Sequence, residues 1–346
     1  MSLRALLLLA VLGSAPAAAQ VAEAARAAEP ARLAAQGLLL ALARAGERLV
    51  AVGDRGVIVF SDDRGTSWTQ SLAVPTQALL TGVCFFDAQH GIAVGHDLVV
   101  LTSADAGRSW RRVHFDPAAQ GPLLDVWCGS DGHAIAVGAY STYLTSEDAG
   151  ASWQERPFHP AAAPVRSAGA ARSATPPADA DGGGGGFHLN RIVASGAGHL
   201  YIAAEAGHLY RSADGGAQWR ELPSPYEGSF FGVLPLDGEV VLAYGLRGNL
   251  YRSADGGDSW QKLATGTLAM LDGGAPLGSE GAALVGLSGV LLVSRDTGHS
   301  FTLVQQADYR GLAAVLALGT HTLVVVGEGG ARRIELGAPA QPGASP

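Results

Sequence analysis

Carboxylates, hydroxyls and glycines crowd into six short stretches of this chain. They read SDDRGTSW from Ser61, SADAGRSW from Ser103, SEDAGASW from Ser146, SADGGAQW from Ser212, SADGGDSW from Ser253 and SRDTGHSF from Ser294. Such a density of oxygens could furnish a cation loop or a catalytic carboxylate. A Ca²⁺ loop, however, needs about twelve residues with a chelating Glu at the end, and these stretches have no such Glu. A catalytic site is also rarely built six times in one chain. The types and spacing suit a corner instead. The Asp (Asp63, Asp105, Asp148, Asp214, Asp255, Asp296) is expected to accept backbone N–H bonds inside a turn. The Gly two residues later supplies a positive φ. The aromatic (Trp68, Trp110, Trp153, Trp219, Trp260, Phe301) fills apolar space beside the strand. No metal and no cofactor is expected.

The corners recur at a fixed period, which defines the elements that hold them. Successive motif serines are 42, 43, 66, 41 and 41 residues apart, and the long step contains PVRSAGAARSATPPADADGGGGG, 23 residues without apolar periodicity. Without it that step is 43 residues. A period of this size is the length of one four-stranded propeller blade. Each unit carries a β-rich run, a small residue eight before the Ser, a two-residue turn and a second β-rich run, as in RLVAVGDRGVIVF before Ser61. A further apolar run precedes each hairpin, and the segment from the Trp onward supplies a fourth strand. A seventh unit, residues 311–336, has three strands and no motif. The expected fold is all-β: a seven-bladed β-propeller over 38–336, its last blade closed by a strand from the N-terminal segment 20–37, around Pro30 to Gln36. A flexible insertion is expected at about 157–187, and a disordered tail at 337–346.

Positions that repeat between blades build the scaffold, so a binding site is sought where equivalent positions differ. The second-to-third-strand turns differ most: Asp54-Arg55, His96-Asp97, Ala139-Tyr140, Glu205-Ala206, Leu246-Arg247, Leu287-Ser288 and Glu328-Gly329. They lie at the opposite end of the blades from the Asp corners and should ring the central axis. Asp54, Arg55, His96, Asp97, Tyr140, Glu205, Arg247 and Glu328 are therefore the candidate partner-binding residues, the Arg forks being suited to carboxylates. Polar turns are also what solubility alone would select. His90, His133 and His199 share a slot in three units, but equal slots are spread around a ring, which argues against a common metal. The Gly182–Gly186 run lacks the Lys-Ser/Thr that a phosphate loop requires.

Composition sets outer limits. The chain opens MSLRALLLLAVLGSAPAAAQ, a basic end, a short apolar run and an Ala-x-Ala site, expected to be an export signal cleaved after Ala19. The mature protein should then be periplasmic, or lumenal in a photosynthetic host, and soluble and monomeric. A net charge of −8 argues against nucleic-acid binding. The two cysteines, Cys84 and Cys128, occupy comparable strands of neighbouring units at positions of opposite parity. Side chains of opposite parity point to opposite faces, which argues against a disulfide, although export permits one.

The six corners resemble the Asp-box of bacterial neuraminidase repeats. The fuller unit, with VGHD (His96, Asp97), VGAYS and YGLRG preceding S-x-D-x-G-x-S-W, resembles the photosystem II stability and assembly factor family and its bacterial relatives. The likeness spans Leu38 to Leu336. It implies a non-enzymatic, exported propeller that assists assembly of a membrane-protein complex, with a photosystem reaction-centre polypeptide as partner in photosynthetic members and an export permease as the alternative partner elsewhere. The alternatives are a sialidase-type glycoside hydrolase or a carbohydrate-binding propeller. A sialidase needs an Arg cluster and a Tyr–Glu pair. Tyr140 and Glu205 are the available pair, but the ring holds only Arg55 and Arg247, and sharing Asp-boxes transfers a fold and not an activity. For sugar stacking, the ring has only Tyr140 as an aromatic.

Overall fold

A computed structural model describes residues 26–119, 121–163 and 186–337. The expected export signal, most of the expected insertion and nearly all of the expected tail lie outside the described residues. The chain forms seven antiparallel sheets, six of four strands and one of three, each in simple meander order. The first strand of every sheet packs against the first strands of its two neighbours, and the blade-1 strand Leu39–Ala45 meets the blade-7 strand Leu312–Ala317, so the ring is closed. The blades span 39–70, 80–114, 123–155, 189–221, 230–263, 271–305 and 312–335, here numbered 1 to 7.

Burial follows from stacking of sheets. The second strand of every blade is buried on both faces apart from the first residue of the blade-7 strand, as in Arg48–Gly53 and Gly91–Gly95, and reads as an almost unbroken apolar run. Apolar clusters lie between blades: Ile92, Val94 and Val100 of blade 2 share one with Leu123, Val126 and Leu144 of blade 3. Every inner strand carries a bulge near its start, at Leu39/Ala41, Leu80/Gly82 and the equivalent places in the other five. The bulge bends the strand where it meets the axis.

Three expectations are corrected. Cys84 and Cys128 form a disulfide, with Cα atoms 5.8 Å apart. They belong to neighbouring sheets, Cys84 pairing with Ile92 and Cys128 with Ala134. Two stacked sheets offer each other opposite faces, so opposite parity is the arrangement that brings the thiols together. The parity rule holds within one sheet only.

The N-terminal segment does not close blade 7. Pro30 to Gln36 form no strand; the chain straps across blade 1, with Ala28 N donating to Val74 O (2.9 Å) and the Gln70 side chain bonding both Glu29 O and Ala31 N. Among the described residues its one rung with blade 7 is Ala331 N to Ala35 O, 2.8 Å. Polar anchors on blade 1 hold the strap there.

The insertion is also shorter than expected. Phe158 packs among Tyr143, Tyr210 and Trp219 at the joint of blades 3 and 4, and Ala161 bonds the backbone of Trp219 and Glu221. At the far end Phe187 lies 4.0 Å from the His208 ring. Apolar side chains thus fix both flanks.

The cross-link ties blade 2 to blade 3 over 44 residues. A Cys84→Ser/Cys128→Ser variant should lose roughly 2–4 kcal/mol. The check is denaturant unfolding with and without reductant: wild type should weaken on reduction and the variant should not respond.

Candidate functional site

The Asp corners stand on one end of the ring and share one network. In the first, Ser61 Oγ donates to Asp63 Oδ1 (2.8 Å) and accepts from Gly65 N (2.8 Å), while Ser67 N and Oγ donate to Oδ1 (2.8 Å) and Oδ2 (2.6 Å). The same bonds recur in the other five, except that Gln218 replaces the second Ser in blade 4. Hydrogen bonds from Ser67 and Ser152 hold the Asp63 and Asp148 carboxyls down to about 2. Five of the six carboxylates spend both oxygens inside the corner, and Asp214 spends Oδ1 there, which suits a backbone clasp.

Each clasp also joins two blades. A side chain on Gly65 would strike Val324 of blade 7; on Gly107, Val50 of blade 1; on Gly150, Ile92 of blade 2; on Gly216, Ile135 of blade 3. The box aromatics follow: Trp110 enters the blade-1 cluster of Val50 and Val52, Trp153 that of Ile92, Trp219 that of Ile135, and Trp68 reaches Leu318 and Val324. Trp260 joins Tyr201 and Leu222 of blade 4, and Phe301 joins Leu242 of blade 5. Sequence reading placed these aromatics in apolar space beside the blade, and that space is the joint with the preceding blade.

The opposite end carries the candidate ring. In six blades the turn has three residues, not the expected two, and its middle residue takes a positive φ: Arg55, Asp97, Tyr140, Ala206, Arg247 and Ser288. Blade 7 alone has the two-residue form, closed by Gly330 N to Gly327 O. The first turn residue donates its N–H to the link entering the inner strand, as from Asp54 to Leu38 O and from His96 to Leu79 O. The middle residue is thereby lifted outward, and Arg55, His96, Asp97, Tyr140 and Arg247 are exposed.

The ring residues do not form one cluster. Arg55 pairs with Asp54 of its own turn (3.4 Å). Glu205 and Glu328 spend an oxygen each on the backbone N–H of His188 and Gly311, which anchors the incoming link. Tyr140 and Glu205 meet through His188, whose ring is 5.0 Å from Tyr140 and whose Nδ1 is 3.3 Å from Glu205. Arg55 and Arg247 stand on blades 1 and 5. Arg191 is on the axis, with its Nε 3.9 Å from Asp125 and its Nη2 on Asp272 O (3.3 Å). Burial pushes the Asp125 carboxyl up, against the pull of Arg191. Of the slot histidines, His90 pairs with Asp87, His133 with Glu147 and His199 with Arg211. Among the described residues no group of three or more His, Cys, Asp or Glu is placed to hold a metal.

Sequence reasoning missed an apolar crescent on this same end. Leu268 in the link between blades 5 and 6 is 84% exposed, and Tyr309 in the next link is 65% exposed. Leu287 of the blade-6 turn lies against Gly311 beside them. On blade 1, Leu33 and Leu38 line a groove of about 460 Å³ with Asp54, Arg55 and Gln77. These residues sit in links that carry no repeat, so no slot in the repeat pattern marked them. Only their hydrophobicity within a polar link could have done so.

The propeller is similar to solved structures of the same architecture. YCF48 bound to D1 peptide matches with a TM-score of 0.66 at 16% identity, over 88% of this chain and 95% of that one. YCF48 from Cyanidioschyzon merolae matches at 0.64 and 13%, over 90% and 98%. The WD40 propeller domain of Doa1 reaches 0.64 at 10%, over 89% and 94%, so the likeness carries the architecture and not a role. No protein-family model matches the sequence, and no curated protein matches it. Among the described residues no helix is long and apolar enough to cross a membrane.

Two outcomes test the corners. Gly216→Ala should cost about 1–3 kcal/mol, since φ is +93° and Ile135 leaves no room for a methyl group. Gly215→Ala should be within about 0.5 kcal/mol of wild type, because Ala106 and Ala149 hold the equivalent position at φ +60° and +57°. Urea melts of the pair decide this. Acid provides the other. The folded Asp63 and Asp148 stay charged down to about 2, whereas the unfolded chain takes up these protons near pH 3.9. Their contribution is complete above that value and is lost as pH falls toward 2. An Asp63→Asn/Asp148→Asn variant should melt earlier at neutral pH and show a shallower acid loss.

Proposed function

We propose that this chain is a non-enzymatic, exported propeller that binds a segment of a membrane-protein partner through its turn face, as an assembly or stability factor. The observation that carries the reading is the composition of that face. Large apolar side chains, Leu268, Leu287, Tyr309, Leu33 and Leu38, stand exposed across blades 6, 7 and 1 beside the charged Asp54, Arg55 and Glu328. Exposed apolar groups with a polar rim are the make-up of a protein-binding surface, in which a few aromatic and apolar anchors dominate affinity. The likeness to YCF48 bound to D1 peptide supports an extended membrane-protein segment as the kind of partner.

The glycosidase alternative finds less support. Tyr140 and Glu205 are drawn together by His188, but Arg55, Arg191 and Arg247 stand apart on blade 1, the axis and blade 5.

A pull-down from detergent-solubilised envelope tests the reading. Wild type should recover a membrane protein that Leu287→Glu/Tyr309→Glu recovers at least about 30-fold less, as loss of a hot spot implies. Both substitutions are at exposed positions, so thermal unfolding should be nearly unchanged. Equal recovery by the two proteins refutes the turn-face site.

A further inference from the structure

Among the described residues blade 7 ends one strand early. Its third strand, Arg332–Glu335, is the outer edge of its sheet, whereas each other blade carries a fourth strand beyond that level. The edge therefore lies about one strand spacing, ~4.8 Å, inside the rim. Its backbone directions are settled by its neighbours. Leu336 N bonds inward to His321 O, and Ala331 N bonds outward to Ala35 O of the strap. Alternation along a strand then turns the N–H and C=O of Arg333 and Glu335 outward. Among the described residues no backbone group pairs with them.

The walls beside this edge have a defined chemistry. Toward blade 6, Ile334 packs on the cluster of Leu291 and Val293, and Val304 of the blade-6 outer strand is 37% exposed. Val304 pairs with Leu291, so its side chain is on the blade-7 side. Toward blade 1, the Arg333 side chain reaches Thr66 Oγ1 (3.3 Å). On that same wall the Arg333 guanidinium is paired with the Glu335 carboxylate (2.8 Å), so one wall is apolar and the other carries an ion pair.

We infer that this recessed edge is a second binding site, which takes an extended segment of a partner protein as the fourth strand of blade 7. An added strand gains main-chain bonds from Arg333 and Glu335, and its side chains alternate between the two walls. The chemistry specified is an apolar residue opposite Ile334, covering Val304, and a polar residue on the side of the Arg333–Glu335 pair. The chain's own ends fit poorly. The segment 338–346 has proline at 339, 342 and 346, and proline cannot donate to a ladder. The strap runs away from the edge, passing Val74 at Ala28. A second copy is hindered by the outer strands of blades 6 and 1, which project past the recess. The site is separate from the turn face.

The probe is the peptide Ac-Ser-Val-Glu-Val-Thr-Ser-NH2, added to full-length protein while amide exchange is followed by NMR. In the free protein the Arg333 and Glu335 amides should exchange fast, and saturating peptide should slow both. A peptide N-methylated at alternate residues should bind at least about tenfold more weakly. Glu335→Pro, which removes an outward donor and leaves the inner ladder intact, should weaken the unmodified peptide similarly. Leu287→Glu should leave this binding unchanged, which separates the site from the turn face. Unprotected amides, equal affinity of the N-methylated peptide, slow exchange already present in the free monomer, or a dimer that protects the same amides would each overturn the inference.

Discussion

The ring depends on a clasp in which one serine hydroxyl and one carboxylate tie a corner whose glycine must touch a neighbour. Ser61, Asp63 and Gly65 show the logic: the hydroxyl accepts from the glycine amide and donates to the carboxylate, which accepts from the chain beyond. The glycine can then lie on Val324 of the adjacent blade without a side chain between them. Local hydrogen bonding fixes the backbone, and the fixed backbone sets how close two sheets come. Six such clasps serve the joints from blade 7 to 1 round to blade 5 to 6. The joint between blades 6 and 7 is held by apolar packing among Val285, Leu291, Val315 and Val325, and by Arg295 on Thr320 O.

That division of labour explains why the two ends of the ring differ. At the clasp end, carboxylates are consumed by backbone amides and glycines by close approach, so little is free to vary. At the turn end, one backbone bond per blade, such as Asp54 N to Leu38 O, secures the turn. The middle residue is lifted outward with a positive φ and its side chain is exposed. Arginine, aspartate, tyrosine, alanine and serine all occur there. Function is sought at the end where geometry leaves chemistry open.

What repeats was legible in the sequence, and what depends on a single contact between distant segments was not. The period, the hairpins and the role of Asp63 and its equivalents follow from local spacing and turn chemistry. The Cys84–Cys128 bond was misread because parity was applied as if the two strands lay in one sheet, when stacking of sheets inverts the rule. The closing strand was misplaced because Gln70 and Val74 capture the strap on blade 1, a competition invisible in composition. The axial Arg191 between Asp125 and the Asp272 carbonyl brings together three blades, and nothing in the spacing links them. Leu268 and Tyr309 escaped notice because links between blades carry no repeat to depart from.

The unfinished seventh blade sharpens the same point. A ring of identical units has no distinguished place, so any specificity must come from a broken repeat. Here three breaks fall side by side: the missing clasp at the joint of blades 6 and 7, the two-residue turn at Glu328, and the strap that offers Ala331 a single rung before it turns away. The apolar crescent of Leu287, Tyr309 and Leu33 borders the same sector. A strand edge this exposed would normally be covered or charged to prevent indiscriminate pairing. Recession between two longer blades and the charged pair Arg333–Glu335 meet that need, while a narrow extended chain can still enter. Symmetry therefore builds the scaffold, and its interruption at blade 7 gives the scaffold an address.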